Sequence, residues 1–226
     1  MLRRLFSDYP FFYKIYYHLV RKHRGIPPLQ FTPDTNIYYD GYQRSGNTFF
    51  NHLIKNVLPG LRGVHHLHKI APVKVALQRR IPVFILIRDP LEAIPSNYLK
   101  YYAQGGVIPD ETNVNLLSKM ADDYYHYYNF VNKNREKIFL IEFQELIDNP
   151  CQVLKSVADQ MGIQIRSQEL EEKVSEATNT YSGAKTKYGS SKPNIHKERE
   201  KDKIKKDLVN LKSFKGVTEV YQKAIN

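Results

Sequence analysis

The chain has 226 residues, a hydrophobic fraction of 42% and a formal net charge of +11. This length suits one domain that buries its own core, and the ordinary hydrophobic fraction excludes disorder of the whole chain. The single cysteine, Cys151, excludes an intramolecular disulfide and a zinc site built from a cysteine cluster. The positive charge favours anionic partners such as nucleic acid, acidic lipid, acidic glycan or nucleotide phosphates.

The N-terminal segment ends at Pro27-Pro28. Over residues 1–23, apolar side chains recur roughly at helical spacing, with basic residues between them. We expect a helix that packs on the domain, and peripheral contact with a membrane is the alternative. Asp8, Pro10 and Lys14 interrupt any signal-peptide core, and no stretch reaches the roughly 18 apolar residues that span a bilayer. The cytoplasm is therefore the expected location.

Residues 41–48, which we call the glycine loop, follow a predicted strand over 36–42 and precede a predicted helix over 48–57. The loop reads GYQRSGNT, with four residues between its two glycines, which is the spacing of a P-loop. Backbone N–H groups at such a helix N-terminus can cradle a phosphate. The alternative is a glycine turn that contains an arginine by chance.

One residue of the glycine loop argues against a nucleoside-triphosphate site. The Lys that reaches the β- and γ-phosphates should follow the second glycine, and Asn47 stands there. The cation lies inside the loop instead, as Arg44. This arrangement suits a donor whose transferred group carries less charge than a γ-phosphoryl group and needs no Mg²⁺ to neutralise it.

Residues 82–87 form a continuous apolar run, which is typical of a strand buried on both faces of a parallel sheet. Arg88 follows directly, Asp89 is the expected N-cap of the next helix, and Pro90 is its first residue. An arginine at a strand end is placed to bind a phosphate, and Ser96 in that helix can complete the shell with its hydroxyl. The alternative is local pairing of the arginine with a neighbouring carboxylate.

The rest of the chain predicts a further alternation of helices and strands. The elements are a helix over 114–135, a strand over 137–142 and a helix over 150–161. Residues 182–206 are rich in Lys, Gly, Ser and Pro, which predicts a basic, mobile loop followed by a solvated helix. The alternation predicts a single α/β domain over 1–226, with a central, mainly parallel sheet flanked by helices and an N-terminal helical segment over 1–30.

Three segments, taken together, resemble the sulfotransferase family. QRSGNTF at 43–49 is similar to the family's PKSGTTW loop, and IRDPLEAIPS at 87–96 is similar to its R(N/D)P…S segment. FQELIDNP at 143–150 is similar to its YEDL…NP segment. The resemblance covers residues 37–162. It implies a P-loop-like sulfotransferase fold and transfer of a sulfuryl group from 3′-phosphoadenosine 5′-phosphosulfate (PAPS) to a hydroxyl or amine, with PAP as the product and no metal.

The resemblance also implies which residues bind the donor. Those on the 5′-phosphosulfate side are Arg44, Ser45, Gly46, Asn47, Thr48 and Phe49, and those on the 3′-phosphate and adenine side are Arg88, Ser96 and Phe143. Arg44 stands where many members carry Lys at the bridging oxygen, and its permanent charge can stabilise the leaving group but not donate a proton. The family's C-terminal RKGxxGxW motif is not recognisable. Lys185 and Lys187 are its nearest candidates, and a solvated basic loop is the alternative.

A histidine cluster at 65–68 supplies the candidate general base. By the resemblance, the base lies about twenty residues before the phosphate-binding arginine, and His66 fits the family's THL pattern best. His65 or His68 takes that role if the register slips. An imidazole that titrates near neutrality can accept the acceptor's proton as the acceptor attacks sulfur. A metal site is the alternative interpretation of three histidines in four residues, but no carboxylate or cysteine lies nearby in sequence to complete it.

Two other classes of protein stay open from the sequence. A P-loop kinase of a small molecule or nucleotide would need the missing Lys and an Mg²⁺-binding Asp, and neither is evident. A non-catalytic module that binds nucleic acid or glycan is compatible with the charge and with the 17 tyrosines. The sequence shows no recognition helix or RNA-binding motif, so we expect no nucleic-acid partner. A positive surface suits an anionic or polyhydroxylated acceptor such as a glycan.

Overall fold

The structure is a computed structural model that describes residues 2–23, 31–105, 111–181 and 195–226. Its strands are β1 (Ile37–Gly41), β2 (Gly63–Val64), β3 (Val83–Ile87) and β4 (Phe139–Glu142). Its helices are α1 (Leu2–Asp8), α2 (Pro10–His23), α3 (Asn47–Val57), α4 (Ile70–Gln78), α5 (Pro90–Gly105), α6 (Val114–Lys133), α7 (Phe143–Asp148), α8 (Pro150–Gln160), α9 (Ser167–Thr180), α10 (Ile195–Val209) and α11 (Phe214–Ile225).

The four strands form one parallel sheet in the order β2-β1-β3-β4. Every residue of β1 and β3 is buried, because helices cover both faces of these central strands. Gly41 pairs with Leu86, and a Cβ on Gly41 would lie 2.3 Å from the Leu86 carbonyl oxygen. The chain leaves β1 toward β2 and returns to β3 on the other side of β1. The carboxyl ends of β1 and β3 therefore flank a topological switch point, which is where open α/β sheets bind ligands.

Side chains alternate between two apolar layers along the central strands. Tyr38 and Ile85 belong to the layer that the sheet forms with α4, α5, α6, α10 and α11. Tyr39 and Phe84 belong to the layer formed with α3, α8 and α9. The chain is thus a single α/β domain with a central parallel sheet flanked by helices, as the sequence predicts.

The predicted strands and helices of this sheet are confirmed, with ends that differ by a few residues. The predicted cap is present, because the Leu91 N–H donates to Asp89 Oδ1 at 2.7 Å. The short strand β2 and the helix α4 had not been predicted. The N-terminal segment forms two helices instead of one, since Pro10 starts a new helix and disfavours helical backbone at Tyr9.

Helix α10 corrects one expectation. A solvated helix was predicted within 182–206, but Ile204 and Leu208 are buried in the layer that contains α5 and α6. These two residues are four apart, so they share one face of an otherwise charged helix. Residues 182–194, where the mobile basic loop was expected, lie outside the described residues.

Helices α1 and α2 pack on α4, as we expect for the N-terminal segment. Tyr13 of α2 is only 7% exposed, and His126 Nε2 of α6 lies 2.6 Å from Asp8 Oδ2. Among the described residues, we find no helix whose length and apolar character would let it cross a bilayer.

Candidate functional site

The glycine loop makes a tight turn between β1 and α3. Arg44 has a φ of 72° and Gly46 a φ of 90°, both in the left-handed region that favours glycine. A Cβ on Gly46 would also come within 2.8 Å of the Phe143 ring, so both conformation and space require the second glycine. Residues other than glycine with a left-handed backbone are concentrated at functional sites. Arg44, with its φ of 72°, is one of them.

Tyr128 on α6 supports the glycine loop from the core. Its Oη donates to the Leu86 carbonyl at 2.7 Å, accepts from the Tyr42 N–H at 3.1 Å and lies 3.4 Å from Ser45 Oγ. Burial raises the pKa of Tyr128, so the phenol keeps its proton near neutral pH. Across the turn, Asn47 Nδ2 donates to the Tyr42 carbonyl at 3.1 Å. These contacts hold the glycine loop against β3 and α6.

Helix α3 begins without a side-chain cap. Gly46 occupies the N-cap position, and it has no side chain to accept from the first turn. The N–H groups of that turn and the positive end of the helix dipole therefore lie at the opening of the glycine loop. A helix end of this kind suits an anion when cations stand beside it.

Two arginines, Arg44 and Arg88, lie at this opening and are joined by a hydrogen bond. Arg44 Nε donates to Ser96 Oγ at 3.0 Å, and Arg88 Nη1 donates to the Arg44 carbonyl at 3.1 Å. The Arg88 guanidinium lies over the Phe143 ring, with 4.3 Å from Cζ to the ring centroid. Burial lowers the pKa of both arginines, and the charge of Arg44 lowers that of Arg88 further. The site thus concentrates positive charge before any ligand binds.

Glu92 partly neutralises Arg88 and ties it to α10. Its carboxylate lies 3.4 Å from Arg88 Nη2 and 3.7 Å from Lys201 Nζ, and it accepts a hydrogen bond from Lys205 Nζ. Burial raises the pKa of Glu92, but the hydrogen bond from Lys205 and the neighbouring cations lower it overall. The sequence did not reveal these two lysines as site residues. One local signal was available: Lys201 and Lys205 are four residues apart and flank the apolar Ile204, which indicates that they lie on the helix face toward the domain.

Asp40 of β1 joins the glycine loop to the histidine cluster, and sequence reasoning missed it too. Asp40 is fully buried; its Oδ1 accepts from the Gly41 N–H at 2.9 Å. Its Oδ2 accepts from the N–H groups of Leu67 and His68 at 2.8 and 2.6 Å. His68 Nδ1 lies 3.0 Å from Asp40 Oδ1 and 2.7 Å from the Gly41 carbonyl oxygen. Burial opposes both charges, but the mutual attraction wins, so the pKa of Asp40 is lowered and that of His68 is raised.

The structure gives the three histidines different surroundings. His66 Nε2 lies 3.4 Å from Thr48 Oγ1, at the first turn of α3. His65 stacks on Tyr39 at 5.1 Å between ring centroids, and its Nδ1 shares a hydrogen bond with His66 Nδ1. Burial and the neighbouring His66 lower the pKa of His65 to about 4, and burial and His68 lower that of His66. His66 is therefore the histidine that reaches the first turn of α3 in the neutral state.

Comparison with known proteins gives a structural likeness without a sequence match. No family model and no curated protein matches the chain. The chain is similar in structure to mouse sulfotransferase SULT7A1, whose crystal structure is complexed with PAP. The TM-score is 0.49 and the sequence identity 11%, over 83% of this chain and 88% of that chain. The roles of single side chains must therefore be argued from the residues of this chain.

The structure brings most of the sequence-predicted site residues to one edge of the sheet. They are Arg44, Ser45, Gly46, Asn47, Thr48, His65, His66, His68, Arg88, Ser96 and Phe143. Phe49 is 8% exposed and packs on Tyr181, at 4.9 Å between ring centroids, in the core beside the loop. Lys185 and Lys187 lie outside the described residues. Within the described ranges, no group of three or more His, Cys, Asp or Glu side chains is arranged to hold a metal ion.

A cavity of about 200 Å³ opens beside the glycine loop. Its polar and aromatic lining consists of Gln43, Asn97, Lys100, Tyr101, Lys119 and Asp123. Burial and the charge of Arg44 lower the pKa of Lys100, so this lysine stands within electrostatic reach of the loop. The cavity therefore offers amides, ammonium groups, a phenol and the carboxylate of Asp123 within electrostatic reach of Arg44.

Proposed function

We propose that this protein transfers a sulfuryl group from PAPS to an acceptor hydroxyl or amine. The observation that carries the proposal is the pair of arginines, Arg44 and Arg88, on either side of the switch point between β1 and β3. The uncapped N-terminus of α3 beside Arg44 suits a 5′-phosphosulfate, and the Arg88 guanidinium suits a 3′-phosphate. Ser96, whose Oγ accepts from Arg44 Nε, supplies a hydroxyl to the same opening. A nucleotide with anionic groups on both the 5′ and the 3′ oxygen uses both positions.

In the proposed reaction, the acceptor oxygen or nitrogen attacks sulfur in line. A new bond to sulfur forms, and the bond between sulfur and the bridging oxygen of the donor breaks to release PAP. Arg44 stabilises the negative charge that develops on the bridging oxygen, because a fixed cation in a partly buried site acts without reorganisation. The N–H groups of the first turn of α3 hold the remaining oxygens of the 5′ group.

We assign His66 as the general base. Its lowered pKa keeps the imidazole neutral near neutral pH, and its Nε2 lies at the first turn of α3, beside the position proposed for the sulfuryl group. The proton of the acceptor passes to this Nε2. His68 has its Nδ1 beside Asp40 and the Gly41 carbonyl, so we assign it a role in positioning the histidine cluster.

Phe143 and the lysines of α10 complete the proposed donor site. The Phe143 ring lies against Gly46 and under Arg88, and its aromatic surface suits an adenine ring. Lys201 and Lys205 neighbour Arg88 through Glu92, so their charge also favours a 3′-phosphate there. Lys185 and Lys187 are proposed to contact the same phosphate on the strength of the family resemblance alone.

The cavity beside the glycine loop supports an anionic, polyhydroxylated acceptor such as an acidic glycan. Gln43 and Asn97 supply amides that suit hydroxyl groups. Lys100 and Lys119 supply charge for a carboxylate or sulfate, and Tyr101, which is 56% exposed, supplies a ring for the apolar face of a sugar. This lining carries two ammonium groups and one carboxylate, that of Asp123, so its net positive charge favours an anionic acceptor over a neutral one.

A P-loop kinase is the other enzyme class with such a loop, and the carboxylates at this edge disfavour it. Asp40 is buried and accepts from backbone N–H groups on both of its oxygens. Glu92 is engaged by three cations. Neither of these two carboxylates is placed to hold the Mg²⁺ of a kinase, and Asn47 stands where the Lys should be.

Calorimetric titration of the full chain with adenosine 3′,5′-bisphosphate, ATP-Mg²⁺ and AMP tests the proposal. We expect tight binding of the bisphosphate alone. Arg88→Ala should weaken that binding about tenfold or more, since a hydrogen bond to a charged group contributes roughly 1.5–3 kcal/mol. Arg62→Ala is the matched control, because Arg62 is 70% exposed and pairs with Asp34 on the surface. Preference for ATP-Mg²⁺, or equal binding by the Arg88 variant, would overturn the assignment.

A further inference from the structure

The N-terminal helix pair exposes a group of large apolar side chains. Their exposed fractions run from 39% to 69%, and the residues are Tyr9, Phe11, Phe12, Ile15, Tyr16 and Leu19. Ring contacts connect the group, with 5.5 Å between the centroids of Phe11 and Phe12 and 5.3 Å between those of Phe6 and Tyr16. A contiguous apolar patch of this kind marks contact with a membrane or another molecule. We call these six residues the apolar patch.

The geometry of α2 turns the five members of the apolar patch that lie on this helix away from the domain. At about 100° per residue, its members from Phe11 to Leu19 occupy an arc of roughly 140° on the helix surface. Tyr13 lies outside that arc and is 7% exposed. The hydrogen bond between His126 and Asp8 and the Lys74 ammonium, 5.0 Å from the centroid of the Tyr9 ring, hold the helix pair on α6 and α4.

The charges of residues 1–23 favour a negatively charged surface as the partner of the apolar patch. The sequence places cations before, within and after it: Arg3, Arg4, Lys14, Arg21 and Lys22. Asp8 is its one carboxylate, and it is already engaged by His126. Arg4 and Lys14 are exposed. Exposed apolar side chains in a segment whose sequence carries five Lys or Arg residues and one carboxylate are the pattern of a helix that lies in the interface of an anionic bilayer.

We propose that α1 and α2 dock this protein on the surface of an anionic lipid bilayer, with the apolar patch at the level of the headgroups. A second copy of the chain is a poorer occupant, because an apolar contact between two such patches would bring the same cations together. A purely apolar partner would make no use of them. The proposal is independent of the sulfuryl-transfer chemistry and concerns a different surface.

Co-sedimentation of the full chain with phosphatidylcholine vesicles, with and without phosphatidylserine, tests this docking. We expect binding that requires phosphatidylserine and weakens with added salt. Phe11→Ser combined with Leu19→Ser should weaken it at least about tenfold, because both side chains lose apolar burial. Lys14→Glu should weaken it about fivefold or more, given roughly 1 kcal/mol for each basic residue near such a surface.

The matched control combines Val114→Ser with Val209→Ser, two apolar residues of other helices that are 53% and 50% exposed. Its vesicle binding should equal that of the wild type. Circular dichroism checks that every variant is folded. Binding that ignores phosphatidylserine, or that survives in the Phe11 and Leu19 variant, would overturn the proposal. A wild-type dimer on gel filtration that the same variant converts to a monomer, without vesicle binding, would assign the patch to a second copy instead.

Discussion

Replacing Asp40 with Asn tests whether the buried carboxylate holds the glycine loop and the histidine cluster together. Asn keeps the size of the side chain, but it removes the charge and turns one acceptor oxygen into an NH₂ donor. In the structure, Gly41 donates to one carboxylate oxygen, and Leu67 and His68 donate to the other. Whichever way the amide is oriented, its NH₂ group therefore faces at least one N–H group.

The expected loss is about 3 kcal/mol of unfolding free energy. Removing one member of a buried ion pair typically costs about 3–5 kcal/mol. The lower end applies here, because the His68 side chain is 21% exposed and can release its proton instead of staying charged without a partner. In a domain of 150–250 residues, each kcal/mol changes Tm by about 2–4 °C, so Tm should fall by roughly 6–12 °C.

The loss should depend on pH, and its direction follows from the two shifted pKa values. The folded pKa of Asp40 is lowered, so its contribution is present above the unfolded pKa of about 4 and is lost as pH falls through the lower folded value. The folded pKa of His68 is raised, so its contribution is complete below the unfolded pKa of about 6.5 and is lost as pH rises through the higher folded value. The pair is therefore strongest between about pH 4 and about pH 6.5.

Thermal unfolding followed by circular dichroism, from about pH 5 to about pH 9, measures this difference. The gap in Tm between wild type and Asp40→Asn should be widest in the acidic part of this range and should narrow as His68 loses its proton. Asp34→Asn is the matched control, because Asp34 is 61% exposed and its surface pair with Arg62 contributes at most about 1 kcal/mol. A gap that stays constant over the whole range, or an equal fall in the control, would refute this account of the buried pair.

The opening of the glycine loop allows three further tests. His66→Ala should lower the rate of sulfuryl transfer by about 10²–10⁴-fold and leave the bisphosphate affinity unchanged. In a pH–rate profile, the wild-type rate should rise with pH and level off below the pH at which an ordinary histidine loses its proton, because the pKa of His66 is lowered. Gly46→Ala should lower the free energy of unfolding, measured by chemical denaturation, by about 1–3 kcal/mol, because of the positive φ and the closeness of the Phe143 ring. Gly60→Ala is the control, since a Cβ at Gly60 meets no atom within 4 Å. Glu92→Gln should tighten bisphosphate binding about tenfold by releasing the cations around it, and unchanged affinity by calorimetry would mean that this carboxylate does not compete with the ligand.

The elements around the loop could be predicted because their signals lie between neighbouring residues. Residues 82–87 are apolar without interruption, and Asp89 caps its helix through an N–H group only two residues away. The turn of the glycine loop is equally local. At position 46, only glycine tolerates both the φ of 90° and the narrow space beside the Phe143 ring. Periodicity and capping report such features directly.

The supports of the site could not be predicted because they join residues far apart in the chain. Tyr128 meets the backbone of Tyr42 across 86 positions, and Lys205 meets Glu92 across 113. Local spacing places Lys205 on the same helix face as Ile204, but it does not identify Glu92 or Tyr42 as partners, because the packing of helices on the sheet decides which residues lie beside the strand ends. Asp40 likewise is a lone polar residue in a buried strand until the fold places the histidine cluster next to it.

The charges at the loop opening explain why the anionic groups of a nucleotide, more than its adenine ring, should dominate its affinity. Arg88, Lys201 and Lys205 surround the carboxylate of Glu92, and Arg88 is linked to Arg44 by a hydrogen bond to its carbonyl. Glu198 and Asp202 lie beside the two lysines. Burial lowers the pKa of both arginines, so the unliganded protein keeps their charges at a cost in free energy. A ligand with an anionic group at each end relieves that cost, and at 100 times its Kd it stabilises the fold by about 2.7 kcal/mol. A neutral nucleoside meets the same aromatic surface but leaves the repulsion between the two guanidinium groups in place.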